Sequence, residues 1–352
     1  MRDRGVRVAT ATALAAMSAG LWAMGDCLVA QAQEGMPPAR RLASMKADYR
    51  RPPQQPVENA ALADLGRSLF YDPRVSASGT TSCASCHDPH LAWATAEAKS
   101  RNDSGKLTSR RSQTLIAIGH AMGPIGWDGR SATLEAQAKS SIATGSMSMS
   151  QTDTPVKVEV IEERIRAVPG YMAKFNAALP DAAIDLGAIA TAIAAYERTI
   201  EPGIAPFDRW IEGDESAISE PAKRGFVLFN GKAECALCHS GWRFTNDTFH
   251  DIGVSTKDPG RGREVKDEPL MQYAFKTPTL RSVAVRAPYM HNGSAADLYQ
   301  VVKHYEKGGI DRPSRSPLIK PLALTDQERS DLVAFMETLT GEGEAVPAPK
   351  LP

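Results

Sequence analysis

Cys83-Ala84-Ser85-Cys86-His87 and Cys235-Ala236-Leu237-Cys238-His239 repeat one frame, C-x-x-C-H, within a chain of 352 residues. Two thiols at that spacing can add across the two vinyl groups of a haem. The residue after the second thiol then delivers an imidazole to the proximal side of the iron. A thioredoxin-like dithiol or a four-Cys zinc site needs no His after both pairs, and the two pairs lie too far apart for a zinc ribbon. The reading is two covalently bound c-type haems. Cys83, Cys86, Cys235 and Cys238 would attach them, and His87 and His239 would ligate their irons.

The fifth cysteine, Cys27, falls in a different kind of segment. Arg2, Arg4 and Arg7 precede the apolar run Val8 to Ala23, and Ala30-Gln31-Ala32 has the small-x-small form of a cleavage site. Residues 1–32 therefore read as a cleavable secretory signal, which removes Cys27 and places the mature chain in the periplasm, where c-type haem is attached. The apolar run is short for a spanning helix, and no later run approaches spanning length, so no membrane span is expected in the mature chain. The 41 basic and 41 acidic residues balance, leaving no electrostatic footprint for nucleic acid.

Outward from the two motifs the pattern is helical. Ala60 to Phe70, Val156 to Ala167, Asp185 to Ile200, Glu220 to Phe229, Ala295 to Tyr305 and Thr325 to Leu339 carry apolar residues at helical spacing. Thr325 and Glu328 have the capping-box form, and Gly341 follows the last segment. Nothing alternates like a multi-stranded sheet. The expected fold is mainly α: two cytochrome-c-like domains, each carrying one haem. Residues 33–56 form an N-terminal arm, 57–205 the first haem domain, 206–341 the second, and 342–352 a tail.

Beyond the motifs, the chain resembles the bacterial di-haem cytochrome c peroxidase/MauG family over roughly residues 57–341. Gly126-Trp127-Asp128-Gly129-Arg130, Phe275-Lys276-Thr277-Pro278-Thr279-Leu280-Arg281 and Ala287-Pro288-Tyr289-Met290-His291-Asn292-Gly293 carry that resemblance. It implies a peroxide-handling haem in the first domain and an electron-relay haem in the second, with Trp127 between them. The family's second-haem distal ligand lies fourteen residues after the His of the P-Y-[MF]-H-[DN]-G string, which is Tyr305 here. It is Met in the peroxidases and Tyr in MauG. His304 sits about 100° round a helix from Tyr305, and Met290 and Met271 are further alternatives. A phenolate favours ferric and higher states, so Tyr305 tilts the expectation from peroxide scavenging toward MauG-like oxidation of a partner protein. A cytochrome c peroxidase fed by a small cytochrome is the alternative, and a non-catalytic di-haem carrier a third.

Three departures from the family pattern stand out. The family's Glu in a P-x-E-M string falls on Ser146 or Met147, neither of which moves protons as a carboxylate does. Gln137, at the position of a distal-side Gln in MauG, with Glu135 and His120, are the candidates to compensate. Arg111 and Arg286 occupy positions that are calcium ligands in the family, so no calcium is expected between the haems.

Overall fold

The computed structural model describes residues 38–352 apart from 55, 151, 344 and 345. The signal segment and Cys27 lie outside the described residues. Helix α1, Pro38–Ala47, belongs to a unit ending at Asp48, and Tyr49–Pro352 form a second unit. Both C-x-x-C-H motifs lie in the second unit.

Its helices are α2 (Ala60–Tyr71), α3 (Leu134–Ala143), α4 (Val158–Arg166), α5 (Pro169–Ala178), α6 (Leu186–Glu197), α7 (Pro206–Ile211), α8 (Glu220–Asn230), α9 (Leu298–Glu306) and α10 (Asp326–Glu337). The extended structure is slight: β1, Phe249–His250, pairs antiparallel with β2, Phe275–Lys276. The mainly α expectation holds. α3, α5 and α7 go beyond it, because they are short and their apolar positions follow tertiary contacts more than a clean period. Pro169 ends one helical pattern but also opens α5, since a proline's fixed φ suits a first turn.

Both halves are built on the same helix crossing. α2 starts at Asn59, whose side chain accepts from Leu62 N at 2.9 Å, and buries Leu65, Leu69 and Phe70. It crosses α6 at Gly66, where a Cβ would overlap the carbonyl of Ala192. α8 starts at Ser219 and crosses α10 at Gly225, where a Cβ would overlap the carbonyl of Asp331. Only glycine lets two backbones approach so closely. Each Gly-bearing helix precedes a C-x-x-C-H turn, α8 by four intervening residues and α2 by a longer connection through Pro73–Val75.

The two crossings carry different cores. Around α2 and α6 the filling is largely aliphatic, with Ile116, Ile142, Ile161, Ile165, Ile189 and Ile193 among its members. Around α8 and α10 it is aromatic: Phe229 and Phe335 sit 5.1 Å apart and Tyr49 stacks on Phe244 at 4.8 Å. Such ring pairs add about 0.5–1.5 kcal/mol each beyond the area they bury. The Tyr49 hydroxyl also donates to Asn230 Oδ1 at 2.8 Å. At the other terminus the carbonyls of Val346, Pro347 and Pro352 accept from Tyr71, Arg67 and Arg74.

The capping box before α10 is formed on both sides, with Glu328 N to Thr325 Oγ1 at 3.2 Å and Thr325 N to Glu328 Oε2 at 2.7 Å. Gly341 does not cap this helix. The chain leaves α10 through Thr338, and the Gly341 amide donates to Ser282 Oγ at 3.2 Å.

Candidate functional site

The two C-x-x-C-H motifs adopt one conformation. In each, the first Cys carbonyl accepts from the second Cys and from the His. The pairs measure 3.1 and 3.0 Å at Cys83, and 3.2 and 2.9 Å at Cys235. Each loop then curls back through left-handed residues, Ala92 and Trp93 in the first and Phe244 in the second. That curl returns a carbonyl to the imidazole: Trp93 O lies 3.2 Å from His87 Nδ1, and Phe244 O lies 2.9 Å from His239 Nδ1. A carbonyl at Nδ1 holds the proton there and leaves Nε2 as the lone-pair nitrogen, the tautomer an iron ligand needs. Burial pulls both imidazoles below the ordinary histidine value, His239 to about 4. Both stay neutral at neutral pH.

A cavity of about 210 Å³ opens over the second motif, walled mostly by Leu, Ile, Val and aromatic side chains. Cys235, Cys238 and His239 form one wall, and Tyr305 on α9 lines it as well. Burial raises the Tyr305 phenol above its usual value, and the nearby thiols of Cys235 and Cys238 push the same way. His304 turns elsewhere, with Nε2 2.8 Å from the carbonyl of Ile252. Met290 lines the cavity and Met271 does not. A neutral imidazole, two thiols and a phenol lining one cavity with apolar walls fit a haem in polarity and donor set.

The strip Arg111 to Thr114 connects the two sites. It lines the second cavity, while the Gln113 carbonyl also faces His87 and Thr114 Oγ1 donates to Ala92 O at 2.6 Å. Trp127 stands on the same strip: its Nε1 donates to Arg111 O at 2.8 Å, and its ring lies 6.5 Å from that of His291. An indole there borders the cavity while tied to the segment leading to the first motif.

Arg111 is buried and makes no ion pair among the described residues. It donates to the carbonyls of Arg286 and Thr95 at 2.8 and 2.6 Å. Arg286 in turn donates to Thr279 O at 2.6 Å. A guanidinium thus stands among backbone oxygens, the kind of group that would otherwise hold a hard cation.

The compensating acids read from the sequence are differently placed. Glu135 pairs with Arg198 at 2.7 Å, and His120 Nε2 lies 2.6 Å from Glu201. Gln137 on α3 donates weakly to Ser141 Oγ at 3.3 Å, and its Oε1 is buried without a partner. Met147 is packed in the apolar core and Ser146 is half-buried. Sequence reasoning missed Glu197, a buried carboxyl at the end of α6 with Oε2 unpartnered. The available signal was one acid closing a helix otherwise made of Ala, Ile, Leu, Gly, Thr and Tyr.

Comparison with known proteins agrees with this geometry. A family model described as di-haem cytochrome c peroxidase matches residues 60–216, and a cytochrome c model matches 222–340. The chain is 43% identical to the methylamine utilization protein MauG of Methylorubrum extorquens over 342 residues, covering 95% of each chain. It is 32% identical to the cytochrome c551 peroxidase of Nitrosomonas europaea, covering 85% of this chain and 87% of that one. A solved MauG-like protein associated with microbial copper homeostasis superposes with a TM-score of 0.75 at 30% identity, covering 85% of this chain and 95% of that one. The chain belongs to the di-haem cytochrome c peroxidase/MauG family, and it is a haem-carrying oxidoreductase of the peroxidase type.

Proposed function

We propose that this is a periplasmic, peroxide-dependent di-haem enzyme that oxidises a partner protein in the manner of MauG. The observation that carries this reading is Tyr305, which lines the same cavity as Cys235, Cys238 and His239, while His304 is spent on a backbone carbonyl. In this reading residues 1–32 are an export signal, 57–205 form the first haem domain and 206–341 the second. Cys83, Cys86 and His87 hold one haem, and Cys235, Cys238, His239 and Tyr305 hold the other. When bound, the haems supply iron that takes up oxidising equivalents from hydrogen peroxide.

The chain's own residues orient and tune that chemistry. Trp93 O and Phe244 O fix the two proximal imidazoles. With a haem bound, Tyr305 would supply a hard anionic oxygen of the kind that favours oxidised iron, suiting that site to storing oxidising equivalents more than to admitting electrons. Trp127, between the second cavity and the Arg111–Thr114 strip, shortens the electron path from one site to the other. Gln137 offers its unpartnered Oε1 as a hydrogen-bond acceptor on the first-haem side. Arg111 and Arg286 take the place of the family's calcium.

Rapid mixing of the ferric protein with hydrogen peroxide tests the reading. A changed Soret band whose product decays faster with a candidate partner protein than with reduced cytochrome c is the expected result. Faster decay with cytochrome c would make it a cytochrome c peroxidase. An unchanged band would overturn peroxide dependence.

A further inference from the structure

Trp93 O lies 3.2 Å from His87 Nδ1, so residue 93 is joined through one hydrogen bond to the proximal imidazole of the first site. The Trp93 side chain is 1% exposed and belongs to the apolar cluster against which Cys83 packs. Two more oxidisable rings continue from it. Tyr196 on α6 lies 6.1 Å from Trp93, and Tyr71 at the end of α2 lies 6.4 Å from Tyr196, centre to centre. Phe70 packs against both Trp93 and Tyr196, at 5.8 and 5.3 Å. Tyr196 is buried, whereas Tyr71 is half-buried and donates its hydroxyl to Val346 O at 3.2 Å. The rings thus run outward from the proximal histidine.

The second site is built on the same turn but lined differently. Phe244 stands where Trp93 does, with its carbonyl on His239, and Phe207, Phe229 and Phe335 are among its ring neighbours. A phenyl ring has neither indole nitrogen nor phenol oxygen and is not oxidised where tryptophan and tyrosine are. Tyr49, which stacks on Phe244, is 2% exposed and its hydroxyl is held by Asn230. Oxidisable rings that reach outward therefore mark the first site.

Chemistry sorts the three rings. Trp93 Nε1 is buried with no hydrogen-bond partner among the described residues. An oxidised indole there keeps its proton and its charge, and draws an electron from the next ring. Burial raises the phenols of Tyr196 and Tyr71, so both are protonated at neutral pH. A phenol that loses an electron must also release its proton, and of the two only Tyr71 is partly open to solvent.

We propose that Trp93, Tyr196 and Tyr71 form an outlet through which oxidising equivalents of the first haem reach small phenolic reductants at the surface. The proposal rests on the peroxide-dependent reading and adds a second class of reductant beside the partner protein. In each turn Tyr71 passes one electron inward through Tyr196 and Trp93, and its phenolic proton goes to solvent. A phenol from solution returns one electron and one proton to Tyr71 and leaves as a phenoxyl radical. Two turns supply two electrons and, through solvent, the two protons that convert one hydrogen peroxide into two waters.

The test mixes the ferric di-haem protein with hydrogen peroxide and no partner protein. Freeze-quenched samples are read by electron paramagnetic resonance and by their Soret band. Wild type should show a tyrosyl signal, and guaiacol should quench it while being oxidised. Both the signal and guaiacol oxidation should be lost in Tyr71→Phe samples whose Soret band still responds to peroxide. A nitroso spin trap followed by peptide mass mapping should place the adduct on Tyr71 of wild type, a reading that needs no variant to fold. A changed Soret band with no tyrosyl signal would overturn the outlet and leave the peroxide reading standing. So would an adduct confined to other residues, or a tyrosyl signal undiminished in Tyr71→Phe. An unchanged Soret band would overturn both.

Discussion

At the level of single residues, the second site turns on two neighbours in sequence. Helical spacing alone set His304 about 100° from Tyr305 without choosing between them. The proposed reading takes Tyr305, because the Ile252 carbonyl engages His304 Nε2 while Tyr305 lines the cavity with Cys235 and Cys238. Tyr305→Phe should keep both haems, alter the second haem's absorption, and raise its potential by roughly 0.1 V or more within the ~0.8 V that axial ligands span. A spectrum identical to wild type would reject the ligand. Arg111 makes a second prediction. Elemental analysis should find no stoichiometric calcium, and chelators should leave the peroxide response unchanged. Arg111→Ala should strand the Thr95 and Arg286 carbonyls at about 1–3 kcal/mol each, read from denaturant unfolding of the holoprotein. The sequence showed Arg at these positions but not what it would touch. The carbonyls it meets come from residues 95 and 286, brought together only by folding.

Among the elements, the paired crossings give a comparison of magnitudes. Thr325→Ala removes one side of the α10 capping box and should cost about 1 kcal/mol. Gly225→Ala forces a methyl into the Asp331 carbonyl and should cost about 3 kcal/mol, with a larger fall in melting temperature and in haem-loaded yield. Equal effects from the two would mean the crossing yields more readily than its geometry implies. The helices around the motifs were legible because α2, α8 and α10 bury one apolar stripe each. α3 was not, since Leu134, Ala138 and Ile142 are its only buried positions among Ser, Lys and Gln. Glu197 escaped notice for a related reason: an acid at a helix end reads as surface until its neighbours are known.

Across the whole molecule, Arg110 joins distant segments. It donates to both Asp258 oxygens at 2.7 and 2.8 Å and pairs with Asp128 at 2.7 Å. Burial alone would raise Asp258, but the Arg110 hydrogen bonds and charge outweigh it and hold the carboxyl down at about 2. A carboxyl depressed on folding stabilises the native state above its unfolded pKa, near 4, and loses that contribution as pH falls toward 2. Stability should therefore decline across that window. Arg110→Met should cost about 3–5 kcal/mol at neutral pH and shallow the acid decline. Melting curves at several pH values check both.

The buried thiols carry a last consequence, for the order of events in the cell. Burial pushes Cys235 up to about 12, and Cys83 is raised further, with Glu197 adding to the effect. Thiolate is the reactive form, so in the finished fold neither sulfur is a competent nucleophile toward a vinyl group. With covalent attachment as proposed, the buried thiols favour ligation before the helices close. An open polypeptide would offer its haems more reactive sulfur than the finished fold does, and the glycine crossings would then close over the product.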